Sequence, residues 1–166
     1  MKIIKPSFQI ITPIDPEQIL KTIEAVGRTC YKIEDKITDD SCSTFVAGII
    51  KRGHEAVIEH YNITVRLIND RGVSHEEVRH RIASYAQEST RYCNYSNEKF
   101  GSEVTYIDIK GGMELDPKTK NLDAETFMAI YNEWILACED AELHYNKMIA
   151  LGASPQICLL YTSPSP

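Results

Sequence analysis

Arg79-His80-Arg81-Ile82-Ala83-Ser84-Tyr85-Ala86-Gln87-Glu88-Ser89-Thr90-Arg91-Tyr92 is the stretch from which the rest of the chain is read. It places three guanidiniums, an imidazole and several hydroxyls within fourteen residues of a chain whose formal net charge is −6. Arginine cannot be switched off by deprotonation, and its planar fork of donors matches phosphate or carboxylate oxygens two at a time. So much fixed positive charge in an acidic chain requires an anionic partner. Its confinement to one short run favours a phosphorylated small molecule in a pocket over a long polyanion.

Upstream, Arg71-Gly72 reads as a turn, and Ser74-His75-Glu76-Glu77 has the serine and glutamate of a capping box. This predicts a helix through Val78, Ile82 and Ala83 that carries the arginines, with a loop from Gln87 to Asn97. Further back, Tyr61, Ile63, Val65 and Leu67 alternate with polar residues as a strand. Before it, Asp39, Asp40 or Ser41 caps a helix through Phe45, Val46, Ile49 and Ile50, closed by Gly53. The chain opens with a β-branched strand over residues 2–12, interrupted by Pro6. Asp15-Pro16-Glu17 then starts a helix through Ile19, Leu20, Ile23 and Val26 that Gly27 is expected to stop. Downstream, Val104 to Ile109 alternates as a strand, Gly111-Gly112 turns, and an apolar stripe through Phe127, Ile130, Tyr131, Trp134, Cys138, Tyr145 and Met148 predicts a long helix from about Asp123 to Leu151. The fold class is α+β, a mixed sheet with flanking helices and one long helix.

With 43% hydrophobic and 25% charged residues, the 166-residue chain has the composition of a soluble domain with its own core. No apolar run approaches the roughly 20 residues of a membrane span, and Met1-Lys2-Ile3-Ile4-Lys5-Pro6 lacks the pattern of a signal peptide. A cytoplasmic protein with no membrane or nucleic-acid partner is expected. Cys30, Cys42, Cys93, Cys138 and Cys158 are odd in number and never form a C-x-x-C pair, so they are expected to be thiols, mostly buried, rather than a disulfide framework or zinc site. His54 and His60 are six apart and His75 and His80 five apart, whereas a zincin helix needs four, so no metal site is predicted. Ser89 lacks the G-x-S-x-G setting of a serine nucleophile.

Arg79-His80-Arg81, then seven residues, then Ser89 with Arg91-Tyr92 behind it, resembles the signature of the flavin-dependent thymidylate synthases. The resemblance extends through Gly53-His54-Glu55 and Glu59-His60, and more loosely over residues 20–157. It implies that Arg79, His80 and Arg81 hold FAD, with the arginines reaching phosphate or flavin atoms across a subunit boundary. It implies flavin-proximal places for Cys30, His54, Ala56 and Glu59, with Ala56 standing where many relatives have threonine. Glu88, Ser89, Thr90 and Arg91 fall in the segment that binds dUMP, Ser89 to Arg91 around its phosphate, and Glu76, Arg79 and Gln87 match positions contacting dUMP or lying beside the flavin.

The reaction so implied converts dUMP to dTMP in a homotetramer with shared active sites, using NADPH to reduce FAD and methylenetetrahydrofolate as the carbon donor. The family pattern reaches Gly152-Ala153-Ser154-Pro155-Gln156-Ile157, after which Cys158-Leu159 stands where an Ala-Arg pair is usual. The expected organisation is therefore a family domain over 1–157, incomplete at its C-terminus, and a Ser/Pro-rich disordered tail over 158–166. The family's activating arginine lies beyond this point, so the chain alone is expected to be inactive. A non-catalytic FAD and nucleotide-phosphate-binding fragment of the family is the alternative.

Overall fold

The computed structural model describes residues 1–89 and 91–162, with side chains throughout except at Phe100 and residues 159–162. The elements in order are β1 (Lys2–Ile4), β2 (Ser7–Ile10), α1 (Pro16–Thr29), α2 (Ser41–Lys51), β3 (Val65–Ile68), α3 (Arg71–Glu77), β4 (Thr105–Ile107), α4 (Lys110–Leu115), α5 (Ala124–Ala150) and α6 (Pro155–Thr162). Short 3-10 turns occupy Glu34–Lys36, Glu55–His60 and Glu98–Phe100. The class is α+β as expected, with the strands gathered into two two-stranded sheets, β1 with β4 and β2 with β3. The chain divides into two compact units, Phe8–Leu67 and Met1–Ser7 with Ile68 onward.

In the unit Phe8–Leu67, Asp15 accepts from the backbone N–H groups of Glu17 and Gln18 at 3.0 and 3.1 Å, and Pro16 supplies the preset first helical residue of α1. Gly27 does not end that helix, contrary to the sequence expectation; the helix continues to Thr29. The reason is packing. A Cβ at Gly27 would lie 2.6 Å from Cε1 of Phe45 and 3.2 Å from Cγ1 of Val57, so glycine is what lets α1 approach α2 and the turn Glu55–His60. Beside it Glu24 is fully buried, and its Oε1 accepts from Nε and Nη2 of Arg28 at 2.8 and 2.7 Å. Ser41 Oγ donates to Oε2 at 2.9 Å, and the guanidinium stacks 4.7 Å from the Phe45 ring. The buried charges are thus compensated on every side, which is the condition for such a pair to be tolerated. Ile23, Cys42, Val46 and Ile49 complete the core of this unit.

Every residue of β2 and of Val65–Ile68 is exposed, including Phe8, Ile10, Val65 and Leu67. An isolated two-stranded ribbon is marginal in water, and this one leaves Phe8, Ile10, Val65 and Leu67 exposed.

In the other unit, β1 and β4 pair in parallel with Lys2, Ile3 and Ile4 opposite Thr105, Tyr106 and Ile107. The long helix matches the sequence reading closely, with Asp123 accepting from Thr126 N–H at 2.9 Å and Gly152 following at φ +95°. Its buried residues are Cys138 and Tyr145, and Met113 and Cys158 are also buried in this unit. Gly111 and Gly112 lie within α4 rather than in a turn. The segment expected as an irregular tail from residue 158 instead continues α6 to Thr162, begun by Pro155 in the manner of Pro16; residues 163–166 lie outside the described part.

Two glycines test the packing account in opposite directions. Gly27→Ala gains up to about 1 kcal/mol of helix propensity but overpacks Phe45 at a cost of ~1–3 kcal/mol, so urea denaturation should show a net loss. At Gly48 a Cβ meets only the flexible end of Arg52, at 3.4 Å. Gly48→Ala should therefore raise stability by roughly 0.5–1 kcal/mol.

Candidate functional site

The signature arginines do not ride on a helix. Asp70, not Ser74, caps α3 by accepting from Val73 N–H at 3.0 Å, and the helix ends at Glu77. Its last bonds tighten, with Arg79 N–H donating to Glu76 O and His80 N–H to Glu77 O, and Ile82 takes φ +61°. Among the described residues, none buries the apolar residues that set the predicted period. Val73 and Val78 are 46% and 45% exposed and Ile82 83% exposed, and a short helix without a buried face is not stable.

Residues 78–85 instead fold around an open hollow of about 660 Å³, lined by Val78, Arg79, His80, Arg81, Ile82, Ala83 and Tyr85. Among the described residues no carboxylate pairs with Arg79, Arg81 or Arg91. All three side chains are exposed. The wall of the hollow is therefore cationic along one part and apolar along another. The Tyr85 hydroxyl donates to His80 O at 3.3 Å, and Gln87 Nε2 donates to Ser74 Oγ at 2.7 Å, tying the far end of the loop back to α3. Asn69 does the same for the helix end, donating to Glu77 at 2.7 Å.

Beyond Gln87 the Ser89 carbonyl accepts from Tyr92 and Cys93 N–H at 3.1 and 3.0 Å, and Ser89 Oγ accepts from Arg91 N–H at 3.4 Å. This is the irregular turn anticipated over Gln87–Asn97. Thr90 lies outside the described residues. Glu88 accepts a short hydrogen bond from the Tyr95 hydroxyl. Burial first, and the Glu88 carboxylate second, push that hydroxyl's pKa well above the ordinary tyrosine range, so it remains the donor. Glu76 is exposed on α3.

Cys30, His54, Ala56 and Glu59 belong to the unit Phe8–Leu67. Cys30 is exposed at the end of α1, its Sγ 3.8 Å from Val26 O. Gly53 at φ +70° closes α2, and His54 N–H returns to Ile49 O at 3.2 Å. Ala56 and Glu59 lie exposed in the 3-10 turn that follows. The structure thus brings Arg79, His80 and Arg81 to one hollow and assembles Glu88, Ser89 and Arg91 on one turn of the same unit. Sequence reasoning missed Tyr95, Asn94 and the hydroxyl of Tyr145. The available signal was a tyrosine in the apolar stripe of α5, whose buried hydroxyl must find partners.

Among the described residues, Arg79 and Arg81 have no carboxylate partner and lie beside an apolar wall. The chain belongs to the family described as thymidylate synthase complementing protein, whose model matches residues 14–159. It is similar to the flavin-dependent thymidylate synthase of Pyrococcus abyssi, 37% identical over 103 residues, covering 60% of this chain and 41% of that protein. The enzyme of the same name from Corynebacterium glutamicum is 36% identical over 143 residues, covering 81% of this chain and 54% of that protein. That from Geobacter sulfurreducens is 33% identical over 93 residues, covering 52% and 39%. The chain thus spans about half the length or less of these relatives. No solved structure matches it significantly.

Because Arg79 and Arg81 are exposed and form no ion pair with a described residue, the fold does not depend on them. The double variant Arg79→Ala/Arg81→Ala should unfold within about 0.5 kcal/mol of the parent in urea. A larger loss would show that the guanidiniums are structural.

Proposed function

We propose that this chain binds FAD and dUMP and carries the flavin-proximal part of a flavin-dependent thymidylate synthase. The observation that carries the reading is the pair of unclaimed guanidiniums, Arg79 and Arg81, on a hollow with apolar walls in a chain of net charge −6. The residues present fit a flavin dinucleotide. Each arginine can give a charge-assisted, two-pronged contact to a phosphate, while Ile82, Ala83 and Tyr85 offer surface to a ring. His54, Ala56, Glu59 and Cys30 are the further candidates for contact with the cofactor, and all are accessible at their places in the fold.

The turn of Ser89 and Arg91, with Glu88 beside it, is proposed as the dUMP phosphate site. Its hydroxyl and guanidinium are of the kind that holds an oxyanion through charge-assisted hydrogen bonds. Glu76, Arg79 and Gln87 are proposed to reach the same nucleotide or the flavin edge. When bound, FAD supplies hydride chemistry; the role of this chain's residues is to hold the two anions and order their approach. NADPH as reductant and methylenetetrahydrofolate as carbon donor complete the proposed reductive methylation to dTMP.

Assembly into a homotetramer with shared sites is part of the proposal. It is supported by the apolar exposure of Phe8, Ile10, Val65 and Leu67 and of Val73, Val78 and Ile82, which second copies would cover. The test is flavin content. The parent chain, loaded with FAD and freed of excess, should hold it and absorb in the flavin bands, whereas Arg79→Ala/Arg81→Ala should lose it; equal flavin in the two contradicts the assignment.

A further inference from the structure

The turn proposed to hold the nucleotide phosphate is fastened to the long helix through one buried side chain. Tyr145, on α5, is 1% exposed. Its hydroxyl accepts from the backbone N–H of Tyr95 at 3.1 Å and lies 3.3 Å from Asn94 Oδ1, to which it donates. Asn94 Oδ1 also accepts from Ser96 N–H at 3.1 Å and from Ser96 Oγ at 2.6 Å, so the segment folds around that one oxygen. The two tyrosine rings pack with centroids 6.3 Å apart and planes at 54°. From the other end of Tyr95 its own hydroxyl donates to Glu88, next to Ser89. Ser89 in turn accepts the N–H groups of Tyr92 and Cys93 at its carbonyl and that of Arg91 at its hydroxyl.

A continuous path of contacts therefore leads from the rigid 27-residue helix to the exposed guanidinium-bearing turn. This answers a physical need. The turn has no regular backbone ladder, and an irregular loop left to itself loses binding affinity to the entropy of ordering it.

We infer that Tyr145 is a positioning residue for the phosphate-binding turn, acting through Tyr95 and Asn94 to hold Glu88, Ser89 and Arg91 in the arrangement that receives the nucleotide. The role resides in the hydroxyl, whose two hydrogen bonds join helix and turn beside the packed rings. Tyr145→Phe keeps the ring in its place on α5 and removes both hydrogen bonds. Tyr95→Phe removes the outer link to Glu88 and keeps the backbone N–H bond to Tyr145. The inference rests on the reading of Ser89 and Arg91 as a dUMP phosphate site, and the two can fail separately.

The experiment uses the full chain and reads amide exchange by NMR together with calorimetry of dUMP and of uridine, which lacks the phosphate. In Tyr145→Phe the Tyr95 amide should exchange about tenfold faster, with amides of the middle of α5 unchanged. The affinity for dUMP should fall on the order of tenfold, the weakening Arg91→Ala should match or exceed, while uridine is unaffected. Tyr95→Phe should weaken dUMP less and leave its own amide protected. Unchanged exchange at Tyr95, exchange accelerated throughout α5, or equal weakening of dUMP and uridine overturns the inference. So does accelerated exchange with undiminished dUMP affinity. A parent chain that binds no dUMP refutes the nucleotide reading instead, and the exchange result still decides whether Tyr145 holds the turn.

Discussion

A guanidinium cannot shed its charge, and it cannot be buried without an anion to meet it. That constraint governs both halves of this chain with opposite results. In the unit Phe8–Leu67 the anion is built in: Glu24 faces Arg28 four residues on along α1, Ser41 satisfies the second carboxylate oxygen, and Phe45 covers the guanidinium face. The ion pair becomes part of the contact between α1 and α2, in which Gly27 makes room for the Phe45 ring. Removing one partner of so buried a pair costs ~3–5 kcal/mol. In the other unit no described residue supplies an anion to Arg79, Arg81 or Arg91, and these arginines stay at the surface. The same charge that is neutralised inside the core of one unit is left at the surface of the other.

Keeping cations exposed on an irregular segment has its own cost, since each ordered residue loses conformational freedom. The structure meets it with side chains rather than with secondary structure. Tyr85 turns back to His80, Gln87 to Ser74, Tyr95 to Glu88, and Tyr145 reaches out from α5. Most of these bonds involve a hydroxyl or amide from a residue that propensity alone would assign to no particular task.

Much of the fold was legible in the sequence wherever local chemistry decides the outcome. Asp15-Pro16, Asp123 and Gly152 mark helix ends as their side chains or backbone require, and α5 follows its apolar period for its full length. Gly27 and Gly111-Gly112 were read as breaks, yet Gly27 is fixed by a contact with Phe45 that lies 18 positions away, and periodicity carries no information on it. The predicted signature helix ends at Glu77, and Val78 and Ile82 sit at helical spacing with no described residue burying them. Arg79-His80-Arg81 and Ser89 stand out in the sequence as candidate residue types, whereas the turn geometry that holds them does not. Asn94, Tyr95 and Tyr145 act through hydrogen bonds between segments 50 and 51 residues apart, which sequence patterns do not reveal.

The central claim is that Val78 to Gln87 forms an irregular, open loop whose arginines await an anion. NMR of the labelled chain, with secondary chemical shifts along this segment and the side-chain Nε–H resonances of Arg79 and Arg81 followed during addition of FAD, tests it most directly. The account predicts helical shifts that stop at Glu77, a left-handed backbone at Ile82, and both arginine resonances moving as FAD binds. Helical shifts continuing from Arg71 through Ala83, or arginine resonances indifferent to saturating FAD, would contradict it.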